Sequence, residues 1–238
     1  MIASQPPPQG AFDIYGPGHK GLRMAHANLL IRLGAADLDD PRALRGLLNH
    51  MREHLDLCVE HMRHEEVVVH AILAGHAPGA AVEIEDMHRA HLANLPELLG
   101  LIGELEAATP AQLRKAGRAL YLAFSRFVAA DLIQMAHEEE ELLPLLHALF
   151  DDAELVAMTT RIVLSMTPEV GAGMLRMIIP AARHRERLSL LRAVKTAAQQ
   201  DVFEALLREV VRPSLADREW RRLADDLRAA PASDVRAA

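Results

Sequence analysis

Two short stretches of the chain repeat one polar pattern, "HMRHEEVVVHAIL" at 61–73 and "QMAHEEEELLPLL" at 134–146. In a helix, residues i and i+4 lie about 40° apart around the axis and about 6 Å apart along it. His61 and Glu65 therefore point the same way and can reach one metal ion. Gln134 with Glu138, and His137 with Glu141, share that spacing. Helix faces favour the first of these two pairs. Leu120, Phe124, Phe127, Asp131, Gln134, Glu138, Leu142 and Leu145 follow steps of three and four, which marks a core-facing stripe. The stripe of His137 and Glu141 passes through Glu140 and Pro144 and reads as more solvated. Alignment of the two stretches agrees, setting Gln134 against His61 and Glu138 against Glu65.

Single histidines mark two further segments. His19 has Leu22, Leu29, Leu30 and Leu33 at +3, +10, +11 and +14; His88 has Leu95, Leu98, Leu99 and Ile102 at +7, +10, +11 and +14. His91, three residues on, competes with His88. Burying a carboxylate costs several kcal/mol unless it is paired or bound to a cation. One buried histidine is ordinarily a hydrogen-bonded core residue, and one "HEE" ordinarily a wet face. Five candidate groups at matching levels of four helices are harder to explain in that way. Mixed imidazole and carboxylate donors suit iron, with manganese or zinc as alternatives.

The elements that must position these groups are helices. "GPGH" precedes a first helix from about His19 to Leu33. Asp40 caps a second, with Pro41 at its first position, which runs to about Ala74 and ends at "GHAPG". A third spans about 81–107. Thr109 caps a fourth, with Pro110 at its start, that runs to about Phe150 and kinks at Pro144. Connections of about 4 to 8 residues between long helices predict an all-α fold, an up-down antiparallel four-helix bundle over 16–150. Residues 1–15, with "PPP", read as a loose leader. Residues 151–230 read as a helical C-terminal extension opened by Asp151 or Asp152 and continued by Thr167–Pro168, with further helices near 182–198, 201–212 and 216–229. Residues 231–238 read as a frayed tail. Met158, Met166, Met174 and Met177 read as core filling, because no Cys or His accompanies them.

Composition narrows the function. Aromatic residues make up only 3% of the chain, so Leu, Ala, Met and Val must fill its core. The net charge of −7 and the absence of basic runs argue against nucleic acid and anionic lipid. No uncharged apolar run approaches the roughly 18 residues of a membrane span. Cys58 is the single cysteine, which fits a reducing, cytoplasmic setting. Twelve of the thirteen histidines lie between His19 and His147, which confines histidine chemistry to the first 150 residues. Neither a phosphate loop nor a nucleophile–base set is recognisable, so the chain reads as a binder rather than an enzyme.

With these residues in view, the chain resembles the hemerythrin-like (HHE cation-binding) family. "GHKGLR" resembles that family's first element through His19, "HMRHEE" its second through His61 and Glu65, and "EDMHRAH" its third through His88. The resemblance covers about residues 12–150, and the later segment is similar to the helical extension of a bacterial subgroup. It implies a four-helix bundle with a mono- or di-iron non-haem centre that binds a diatomic ligand (O2 or NO), peroxide or iron. It also implies helix shifts passed to the C-terminal helices, where a protein partner can dock. The fourth element departs from the pattern: Gln134 stands where the family has histidine, ten residues before Pro144. The position is then filled by Gln134 with Glu138, or by His137 with Glu141 after a change of helix register. His64, His91 and His137, each three residues beyond a primary position, offer a second layer. A bundle that has lost its metal and serves as a protein-interaction module is the competing expectation.

Overall fold

The computed structural model describes residues 11–229. They form helices throughout, with no strand among them. α1 covers Gly16–Gly34. α2 is one rod over 41–76, made of Pro41–His64, a π-helical turn Glu65–His70 and Ala71–His76. α3 is Val82–Leu92 and α4 is Leu95–Glu106. α5 is the rod Leu113–Leu149, interrupted by a π-helical turn at Glu138–Leu142. Then come α6 (Asp152–Ser165), α7 (Pro168–Ala181), α8 (His184–Ala197), α9 (200–214) and α10 (Asp217–Arg228).

Local chemistry sets these boundaries. The Asp40 carboxylate accepts from the backbone N–H of Arg42 and Ala43 and so caps α2. Asp151 accepts from Glu154 N–H while the Glu154 carboxylate accepts from Asp151 N–H, a reciprocal box that opens α6. Three expectations need correction. The third helix breaks at Ala93–Asn94, because Pro96 has no N–H to continue the ladder; the Asn94 amide instead donates to the Ala90 carbonyl. The fourth helix starts at Leu113: Thr109 N–H and its hydroxyl both donate to Gln112 Oε1 in a turn ahead of the helix, and no side chain caps its first N–H groups. The end of the supposed loose leader is held: Phe12 N–H donates to Asp152, His147 donates to the Phe12 carbonyl, and Tyr15 is buried. The rest of that leader and the tail lie outside the described residues.

Two apolar clusters fill the first 150 residues. One gathers Leu22 and Leu29 from α1, Leu48 to Cys58 from α2, Leu98 and Ile102 from α4, and Phe124 to Met135 from α5, with Met174 and Met177 of α7. The other gathers Tyr15, Val68 and Val69, Ile84, Leu142 and Leu146, with Leu155 and Met158 of α6. α1 and α3–α4 run from the second cluster to the first, whereas α2 and α5 run from the first to the second. On every rod the polar residues of interest fall between the two. α7 lies close along α1: a Cβ at Gly21 would sit 3.1 Å from the Met177 backbone carbonyl carbon, so glycine permits that approach. A third cluster, with Ile179, Leu191, Phe203 and Leu223, joins the C-terminal helices. Among the described residues, only Leu113–Leu149 is long and apolar enough to cross a membrane. Its buried face bears Asp131, Gln134 and Glu138, which belong to a protein core and not to lipid.

Candidate metal centre

Glu65 and Glu138 each open a π-helical turn. Such turns insert an extra residue into a helix and concentrate at functional sites. Both carboxylates enter the core, with relative exposures of 3% and 0%. His19, His88 and Gln134 are buried beside them, and His61 retains slight exposure.

The geometry has an approximate two-fold character. His19 Nε2 lies 3.4 Å from Glu65 Oε1 and 3.4 Å from Glu138 Oε2. His88 Nε2 lies 3.2 Å from Glu138 Oε1 and 3.8 Å from Glu65 Oε2. The other nitrogen of each ring is held from outside: His19 Nδ1 is 2.8 Å from Glu139, and His88 Nδ1 is 3.0 Å from Glu66. Thus each Glu-Glu pair sends its first carboxylate into the centre, and its second orients an imidazole from a different rod. Arg23 grips Glu139 through both guanidinium nitrogens, at 2.6 and 3.1 Å. A carboxylate behind a histidine is the arrangement that fixes ring tautomer at metal sites. His61 Nε2 lies 3.1 Å from Glu65 Oε1. His61 and Gln134 are counterparts, each four residues before its carboxylate, and they are where the symmetry fails.

Charge makes this arrangement chemically pointed. With Nδ1–H given to Glu139 or Glu66, a neutral ring presents a lone pair from Nε2 to two carboxylates. That contact is repulsive unless a proton or a cation lies between. In the ion-free chain the proton serves: burial lowers the His19 pKa, but hydrogen bonds to Glu139 and Glu65 overcome it and raise it to about 10. His88 is also raised, the pull of Glu138 and Glu65 exceeding its desolvation. Burial and then Glu138 push the Glu65 carboxyl up to about 7 against His19. Burial and the neighbouring His19 hold His61 down at about 3. Despite burial, hydrogen bonds from His19 and Arg23 hold Glu139 at about 2.

Several buried atoms here have no hydrogen-bond partner: His61 Nε2, Glu65 Oε2, Glu138 Oε2 and both amide atoms of Gln134. Native interiors rarely leave polar atoms so. Two donor sets, His19–His61–Glu65 and Glu65–His88–Glu138, each keep their ligand atoms within 4.8 Å of one another, and Glu65 belongs to both. The set fits a metal ion. No family model, curated protein or solved structure matches the chain.

The structure brings His19, His61, Glu65, His88, Gln134 and Glu138 together. It does not bring His137 and Glu141, which stay at the surface; His137 faces Glu83 at 3.8 Å. A change of register towards them would expel Gln134 and Glu138 from the core. Of the supposed second layer, His64 turns back to the Glu60 carbonyl. His91 is buried and stands 3.4 Å from Asp131, one helical turn from His88, rather than in the centre. Sequence reasoning does not single out Glu66, Glu139 or Tyr15. The doubled glutamate after each ligand position is the signal for the first two. Tyr15 stacks on His19 with ring centroids 5.3 Å apart, and its buried hydroxyl has no partner. Burial, then Glu65 and Glu138, raise its pKa.

Proposed function

We propose that the chain is a hemerythrin-like protein, an up-down antiparallel four-helix bundle whose centre holds non-haem iron. It acts in the cytoplasm, handling or sensing a diatomic ligand (O2 or NO), peroxide or iron. One observation carries this reading: buried imidazoles and carboxylates from four rods converge with unpartnered atoms, a set whose charge a cation compensates. The alternating order in which the rods pass between the two apolar clusters supports the bundle. Imidazole with carboxylate inside helical bundles suits iron, before manganese or zinc.

His19, His61 and Glu65 would hold one ion; Glu65, His88 and Glu138 would hold a second more weakly, since Gln134 offers an amide where an imidazole would be stronger. Bound iron would supply redox chemistry and affinity for a small ligand. The chain's own residues fix that centre. Glu139 and Glu66 orient His19 and His88, the apolar clusters on either side exclude water, and the unpaired Tyr15 hydroxyl offers a hydrogen bond next to His19.

Anaerobic addition of Fe(II) to the full chain, followed by metal analysis and thermal melts, tests this reading. At least one tightly held iron per chain is expected, with a melting temperature that drops on chelation. A ligand at 100 times its Kd stabilises the fold by about 2.7 kcal/mol. Gln134 favours the second reading, a metal-depleted bundle whose C-terminal helices dock a protein partner. Absence of retained iron, with melting indifferent to chelator, would overturn the iron reading and favour that one instead.

A further inference from the structure

A second buried polar tier lies one heptad along the rods from the first. His26 is seven residues after His19; His54, Cys58 and Asp131 are seven residues before His61, Glu65 and Glu138. Seven residues of helix advance about 10 Å, so this tier is separate from the centre described above. All four residues are buried. His26 Nε2 lies 2.5 Å from Asp131 Oδ2, His26 Nδ1 lies 2.9 Å from His54 Nε2, and that same nitrogen lies 3.6 Å from Cys58 Sγ. His91 Nε2 stands 3.4 Å from the other oxygen of Asp131, and neither ring nitrogen of His91 has a hydrogen-bond partner.

We propose that His26, His54 and Cys58 form a second metal site, for a thiophilic borderline cation of the zinc class, with Asp131 as its outer carboxylate. Donation of His26 Nε2–H to Asp131 fixes the tautomer and leaves Nδ1 as a lone pair facing His54 and Cys58. This is the carboxylate–histidine arrangement that sits behind metal-bound imidazoles. The three donor atoms lie within 4.8 Å of one another. A tetrahedral zinc with bonds of about 2.1 Å to nitrogen and 2.3 Å to sulfur sets N and S about 3.6 Å apart. That matches the observed His54–Cys58 spacing. The two nitrogens need to open by about 0.5 Å from their 2.9 Å contact. Charge agrees as well: a divalent ion balances one thiolate and the Asp131 carboxylate, leaving a neutral interior. Nitrogen with sulfur selects zinc-class ions, whereas the carboxylate-rich first centre is harder. His91 stands beside Asp131, outside the three-donor set. None of these donors belongs to the first centre, so the two assignments stand or fall separately.

Cobalt(II) titration of the full-length protein reads the site, because thiolate ligation gives a near-ultraviolet charge-transfer band that nitrogen and oxygen ligands do not. The expected result is a band saturating at one equivalent per chain and abolished by zinc. It is retained in His61→Ala and lost in Cys58→Ser that keeps its helical circular dichroism. X-ray absorption at the zinc edge of zinc-loaded wild type, which needs no variant, is expected to show a sulfur neighbour at about 2.3 Å. Saturating cobalt without a thiolate band, together with zinc lacking a sulfur neighbour, would overturn the site and leave the tier a dry hydrogen-bonded network.

Discussion

The α2 and α5 halves of the centre share one plan and differ at one position. Each rod turns π-helical at the carboxylate that enters the core, Glu65 or Glu138. Each adds a second glutamate that holds an imidazole from another rod, Glu66 on His88 and Glu139 on His19. Four residues before the carboxylate, α2 presents His61 and α5 presents Gln134. The amide of Gln134 is buried as deeply as a ligand would be, yet neither of its polar atoms is paired. Position and orientation are therefore retained where donor strength is not.

This contrast orders the expected effects. Glu65→Ala, which removes the carboxylate common to both halves, is expected to abolish tight iron binding. The loss in affinity should exceed the 10–100-fold typical of outer-shell partners, as read by metal analysis after desalting. Gln134→His is expected to equalise the halves, adding a second tightly held iron and raising the melting temperature only when iron is present. An unchanged stoichiometry would show that the halves differ by more than this side chain. Glu139→Gln and Glu66→Gln, which loosen His19 and His88 without removing a direct donor, should each weaken binding about 10- to 100-fold by competitive chelation. Protons give a smaller, graded effect. Since the pKa of His19 is raised to about 10, its ring is charged at neutral pH and must lose its proton to accept an ion at Nε2. Loading should therefore release protons and tighten as pH rises through the neutral range, measurable with an indicator in weak buffer. His137→Ala and Glu141→Ala, at the surface of α5, should leave iron content unchanged.

Helical periodicity and the repeated stretch bring the six residues that the structure gathers into view, because i, i+4 spacing and a core-facing stripe are properties of sequence, but they leave His91 in competition with His88. They distinguish Gln134 and Glu138 from His137 and Glu141 on the same ground. The π-helical turns are not legible, since the residues at Glu65–His70 and Glu138–Leu142 would equally suit an ordinary helical turn. Glu66 and Glu139 are masked by the ordinary behaviour of charge runs, which usually face water. Tyr15 is masked by the proline-rich segment before it. The break at Ala93–Asn94 is legible in Pro96, but the apolar stripe running from His88 to Ile102 conceals it. The heptad relation of His26, His54, Cys58 and Asp131 to the first centre emerges only when the directions of α1, α2 and α5 are set side by side.

The central claim, that a cation occupies the space between the imidazoles and carboxylates of four rods, is tested most directly by anomalous diffraction at the iron edge on crystals of iron-loaded protein. The account predicts a peak bounded by His19, His61 and Glu65, with a weaker one towards His88, Glu138 and Gln134. Iron found only at surface carboxylates, with no anomalous peak between His19, His61 and Glu65, would contradict it.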